Sequence, residues 1–142
     1  MRQSGFTLLE VLIAILVLSI GLLGLAGLMA SSIRNNHSAY QRTQAIWLAY
    51  DMVDRMRVNR ANALASTNNY NILMATTTSS STGMAATDVN AWKATLANAL
   101  PAGNGSVAVN STTRAVTVVI QWDDSRGTGG SNAQQLSVDT QL

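Results

Sequence analysis

Gly5-Phe6-Thr7-Leu8-Leu9-Glu10 opens the apolar segment of this chain, and residues Val11 to Ile33 continue it without one charged side chain. A helix crosses a bilayer with about 20 apolar residues, so this run is long enough to span. One acid, Glu10, lies inside its start. In lipid an acid costs roughly 2.5–3.5 kcal/mol at a helix centre and less toward the end. Such a residue signals function, and the question is what it pairs with.

Toward the N-terminus, Met1-Arg2-Gln3-Ser4-Gly5 is a short basic lead. An ordinary secretory signal carries an apolar core of about 7–15 residues and then a small-residue cleavage site. Ala30-Ser31-Ser32 is a passable site of that kind. The longer run here, the acid within it, and a helical pattern that continues past Ser32 argue that the segment is kept.

Toward the C-terminus, Gly21, Gly24 and Gly27 recur every third residue. That spacing puts them near one face and lets other helices approach closely. Glycine is also ordinary in membrane helices, and both readings stand. Arg34-Asn35-Asn36-His37-Ser38 is polar and marks the exit from the membrane. Beyond it, Ala39, Thr43, Ile46, Tyr50, Val53 and Met56 form the stripe of an amphipathic helix, with Tyr40 and Trp47 toward a flank. Asp51 and Arg55, and Asp54 and Arg57, are spaced to pair along that helix. Arg55, Arg57 and Arg60 crowd its last turns, where positive charge complements the dipole. No proline precedes Pro101. A single helix from about Phe6 to about Asn59 follows, on the order of 80 Å long. Its first half meets lipid or sister helices, and its second half carries a small domain.

The remainder reads as loop, short helix and sheet. Residues 61–87 are poor in packing residues, and Thr76 to Gly83 is a Ser/Thr run that suits a plain mobile loop or a glycan carrier. Thr87-Asp88 can cap a helix over Val89 to Ala99, with Trp92, Leu96 and Leu100 on one face. Leu100-Pro101 ends it. Ser106 to Asn110 and Ala115 to Trp122 are rich in β-branched residues around the turn Asn110-Ser111-Thr112-Thr113-Arg114, a hairpin. Gly127 to Asn132 is a flexible link, and Gln134 to Gln141 alternates as a third strand. A three-stranded sheet needs a partner for its apolar face. The stripe after Ala39 supplies one. The fold class is α+β: a long N-terminal helix packed on a small antiparallel sheet of about three strands.

The composition excludes much chemistry. The 142 residues allow one modest domain, and charged residues are only 11% of them with a net charge of +2. That is no polyanion-binding surface, and no nucleic-acid partner is expected. With no cysteine, disulfides, thiolate metal sites and cysteine nucleophiles are absent. His37 is the only histidine, better read as an exposed side chain in the polar exit than as a catalyst. Asp123-Asp124 suits a solvated strand end better than a cation site. Gly127-Thr128-Gly129-Gly130 matches no phosphate-binding pattern. Arg55, Arg57 and Arg60, beside Asp51 and Asp54, read as helix-end charges. No catalytic residue, metal or cofactor is expected, and the chain does not read as an enzyme.

Gly5-Phe6-Thr7-Leu8-Leu9-Glu10-Val11 resembles the class III signal of type IV pilins and type II secretion pseudopilins. The resemblance implies cleavage after Gly5 by a prepilin peptidase and N-methylation of the new terminus, Phe6. It implies a type IV pilin-like fold, retention in the inner membrane, and later assembly into a filament. In that filament the Phe6 amine of one subunit would face the Glu10 carboxylate of its neighbour. Opposite charge at close range favours the ionised acid. The helix dipole alone, about 0.3–1 kcal/mol, would not offset burial in lipid.

The blocks Ser19 to Leu25, Ala39 to Arg42 and Ala49 to Arg60 narrow the resemblance to the PilV family of minor pilins, with looser echoes at Trp92, Leu100 to Gly103 and Val118 to Trp122. Members often carry cysteines in the C-terminal domain, and this chain has none. The implied division is a leader at 1–5, an assembly helix at 6–33 and a periplasmic domain at 34–142. Within that domain, 34–59 is helix, 61–87 loop, 88–99 short helix and 105–142 sheet. The implied function is a structural or initiating subunit of pilus assembly, affecting adhesion and twitching motility. Its implied partners are the major pilin, other minor pilins, the peptidase, an inner-membrane assembly platform and a tip adhesin. The alternatives are a minor pseudopilin of a type II secretion system and, from another class, a DNA-uptake or adhesin module.

Overall fold

The structure, a computed structural model, describes residues 7–142. Its frame is α1, Leu8–Val58, a 51-residue helix of about 75 Å at ~1.5 Å per residue. Thr7 caps it, accepting the Glu10 N–H on its Oγ1 at 3.4 Å. Asn59 ends it, and one further short helix follows, α2 at Arg60–Ala63. The expected single helix is therefore present from Leu8. Its expected start at Phe6 lies outside the described residues.

One helix and three strands complete the domain built on the second half of α1. Helix α3 spans Gly83–Ala99. Strands β1 (Asn104–Asn110), β2 (Ala115–Trp122) and β3 (Gln134–Gln141) form an antiparallel meander in the order β1-β2-β3. Register is set by pairs such as Val107 with Val118 and Val118 with Val138. The helix α1 lies across β2 and β3, and α3 across β1. Val107, Val109, Val116, Val118 and Ile120 turn inward to the helices, the period-2 pattern of a sheet wet on one face.

The buried stripe of α1 is Gln41, Ala45, Ala49, Met52, Val53 and Met56. This corrects the expected one: Val53 and Met56 are inside, but Ala39, Thr43, Ile46 and Tyr50 are exposed. Ala45 and Ala49 explain the rotation. Short side chains let α3 approach until the Trp92 indole Nε1–H donates to the Leu48 carbonyl of α1 at 2.8 Å. On its other side that indole lies over Gly105, where a Cβ would come within 2.4 Å of Cη2.

The helix expected at 88–99 begins five residues earlier, at Gly83. Thr87 is not a cap; its hydroxyl donates back to the Gly83 carbonyl at 3.2 Å inside the helix. Asp88 is drawn inward by Tyr70 instead. The Tyr70 side chain is fully buried, donates to Asp88 Oδ2 at 2.6 Å and accepts from Asn59 Nδ2 at 3.0 Å. Arg55 pairs with Asp51 at 2.9 Å and lies 3.5 Å from Asp88. One polar chain thus joins the end of α1, the 61–82 segment and α3.

Burial, and then the hydrogen bond to Asp88, push the Tyr70 phenol up to about 12 from its ordinary 10. A folded-state value above the unfolded one gives stability that is whole below pH 10 and lost as pH rises to about 12. The stability gap between the native chain and Tyr70→Phe should therefore narrow across that window, by on the order of 1–2 kcal/mol. Denaturant melts at either end measure it. A gap of constant size would refute the reading.

Lys93 holds the same segment farther along. Its buried ammonium donates to Asn104 Oδ1 at 2.7 Å and to the Leu73 and Met74 carbonyls, each at 3.3 Å. Burial pushes its pKa down. The three acceptors offset the desolvation of a cation that has no acid beside it among the described residues.

Candidate functional site

Nothing among the described residues covers the first half of α1. Every residue from 8 to 30 is exposed, and the large apolar side chains Leu9, Leu12, Leu16, Leu23 and Leu28 are each more than half so. A surface this apolar and this long is stable only in lipid or against other apolar helices. Alpha helix α1 is long and apolar enough to cross a membrane. At Gly21, Gly24 and Gly27 a Cβ would meet nothing within 4 Å. No contact inside the described chain uses their smallness.

Glu10 sits at the third helical position, and its side chain is exposed on this surface. The spacing Thr7-Leu8-Leu9-Glu10 is that of a capping box, threonine followed three residues later by glutamate. Its threonine half is formed: the Glu10 N–H reaches both the Thr7 carbonyl, at 3.1 Å, and the Thr7 hydroxyl, at 3.4 Å. The sequence reading missed Thr7, although the pattern is visible in the bare sequence. Among the described residues no cation pairs with Glu10. Gly5 and Phe6, the expected cleavage and methylation residues, lie outside the described residues.

The other candidates resolve differently. His37 is exposed, and its Nε2 is 3.2 Å from Gln41 Nε2. The acids at the end of β2 part company, which corrects the solvated strand end. Asp123 accepts the Ser125 N–H at 2.9 Å, and its pKa falls because of Ser125. Asp124 is buried and accepts the Ser38 hydroxyl at 2.6 Å. Among the described residues no three His, Asp or Glu side chains group to hold a metal ion. Arg57 pairs with Asp54 at 2.9 Å, and Arg60 donates to the Leu142 carbonyl at 2.9 Å, so each basic side chain at the helix end has a local acceptor.

Comparison with known families gives two adjoining matches. Residues 1–26 match the prokaryotic N-terminal methylation motif, and residues 27–98 match the family described as Type IV pilin Tt1218. The second match takes in 72 of the 142 residues. No curated protein and no solved structure matches the chain.

Proposed function

The chain belongs to the type IV pilin family described as Type IV pilin Tt1218, and on that premise we propose that it is a minor pilin. Type IV pilins are structural subunits. The methylation motif and the apolar N-terminal helix support peptidase processing, membrane anchoring and incorporation into a pilus beside other pilins. The finer reading is a PilV-like subunit. It waits in the inner membrane with its folded domain in the periplasm, is cut after Gly5 and N-methylated on Phe6, and enters an initiating or tip complex. There it meets the major pilin, other minor pilins and a tip adhesin, and so affects adhesion and twitching.

One observation carries the reading. Residues 8–30 are an uncovered apolar rod that holds a lone carboxylate near its start. No described residue partners it, and its partners are first lipid and then sister helices.

Mass spectrometry of the mature chain tests the processing. It should begin at Phe6 with one added methyl group, and Gly5→Asp should leave the leader attached. A mature chain beginning beyond Ser32 would refute the proposal. Deletion of the gene should remove surface pili and twitching and leave protein export intact. The reverse outcome would assign the chain to a secretion system.

A further inference from the structure

Arg34, His37 and Arg126 line one open cleft of about 680 Å³, together with Ile33, Ser125 and Gly127. It lies where the apolar run of α1 ends: Ile33 is its last residue and Arg34 the first charge after it. The helix brings Arg34 and His37 to one side, three residues apart. The loop between β2 and β3 brings Arg126 to the other.

That loop is tied down, which makes the juxtaposition a property of the fold. Asp124, buried, accepts the Ser38 hydroxyl at 2.6 Å, one helical turn beyond Arg34. The loop also closes on itself, since Asp124 N–H donates to the Ser131 carbonyl and Gly127 N–H to the Asp124 carbonyl, both at 2.8 Å. At Gly130 a Cβ would stand 1.8 Å from the Asp124 carbonyl oxygen, so only glycine permits the closure. Ser125 and Arg126 are thereby presented at the cleft.

The charges there are uncompensated in part. Among the described residues neither Arg34 nor Arg126 forms an ion pair. Two acids lie nearby. Asp124 is spent on Ser38, and Asp123 on the Ser125 N–H. Asp123 is also within electrostatic reach of Arg126. Neither carboxylate lines the cleft. The lining offers two guanidinium groups, an imidazole and a serine hydroxyl. No acid stands among these lining residues, and guanidinium forks suit phosphate oxygens.

We propose that this cleft binds the phosphate of an anionic phospholipid headgroup, fixing the height and rotation of the folded domain over the bilayer. With the apolar run in the hydrocarbon, the cleft opens at headgroup level. The ligand abundant at that level, and of the right charge, is lipid phosphate. The inference rests on the membrane-anchored part of the proposed function and is independent of pilus assembly.

The test uses the full chain in neutral maltoside micelles doped with phosphatidylglycerol or phosphatidylcholine, read by the amide NMR shifts of Ser125 and Gly127. Phosphatidylglycerol should move both resonances in a saturable way, and phosphatidylcholine should not. Arg34→Gln and Arg126→Gln should each weaken binding roughly fivefold, with Arg114→Gln, on the distant β1–β2 turn, without effect. Inorganic phosphate in tenfold excess should not displace the lipid. Equal binding of the two lipids would overturn the proposal. So would unchanged binding by both arginine variants, or saturation of the same resonances by inorganic phosphate alone, which would make this a free-anion site. Should an arginine variant unfold, the lipid comparison on the unaltered chain still decides. Association of the chain with the micelle is scored separately, so a failed cleft and a failed anchor are told apart.

Discussion

Trp92→Ala is expected to unfold the domain built on the second half of α1. The Trp92 side chain is fully buried, and three elements depend on it. It projects from α3, donates to the Leu48 carbonyl of α1 at 2.8 Å, and fills the space over Gly105 in β1. Removing a buried tryptophan costs about 3–5 kcal/mol through lost burial and the cavity left behind. A small domain has only about 5–15 kcal/mol in total. Near-ultraviolet dichroism and thermal melts in micelles measure the loss. Far-ultraviolet helicity should fall much less, because residues 8–33 of α1 need no support from the domain. Two milder variants separate packing from hydrogen bonding. Trp92→Phe gives up the bond to Leu48, worth about 1 kcal/mol. Trp122, equally central, has a buried Nε1 with no acceptor among the described residues. Trp122→Phe therefore loses volume alone and removes an unsatisfied donor, so it should cost less than Trp92→Phe. The opposite order would refute the role given to the Leu48 bond.

Local pattern made the sheet and the long helix legible, and close approach hid the rest. Strands β2 and β3 fall at 115–122 and 134–141, where β-branched and alternating runs place them. The long helix follows from an apolar run and the absence of proline. The inward stripe of α1 did not follow. Apolar side chains surround this part of the helix, with Ile46, Trp47 and Tyr50 on one flank and Ala45, Leu48 and Met52 on the other. Periodicity finds a stripe on either side. Size decides, because alanine admits Trp92, and that constraint comes from a residue more than 40 positions away. The start of α3 was misplaced for a related reason. Thr87 and Asp88 are good caps in isolation, but Asp88 is claimed by Tyr70. The cleft at Arg34 and Arg126 depends on the contact of Ser38 with Asp124, 86 residues apart, which no local pattern encodes. At Glu10 the sequence singled out the candidate acid, while a second, local role beside Thr7 needed the helix start to be seen.

That second role sharpens the test of assembly. Glu10→Gln should abolish incorporation into pili as completely as Glu10→Ala. Glutamine serves as well as glutamate at the third position of a capping box, so the substitution keeps whatever Glu10 gives to the helix start. It removes only the charge. If Glu10 acted through the cap or the dipole, the effect would be about 1 kcal/mol or less, and Glu10→Gln would assemble nearly normally. If instead the carboxylate meets the Phe6 amine of a neighbouring subunit in an apolar interface, its loss leaves a buried cation unpaired. Breaking one side of such a pair costs about 3–5 kcal/mol, more than a hundredfold in association. Thr7→Ala supplies the converse, since it removes the cap bond to the Glu10 N–H and keeps the charge. It should lose about 0.5–2 kcal/mol of helix stability and still enter the filament. Counting the tagged chain in sheared pili from the three variants, at matched membrane levels, separates the roles. Incorporation of Glu10→Gln at the native level would mean that the carboxylate serves its own helix and not a neighbour.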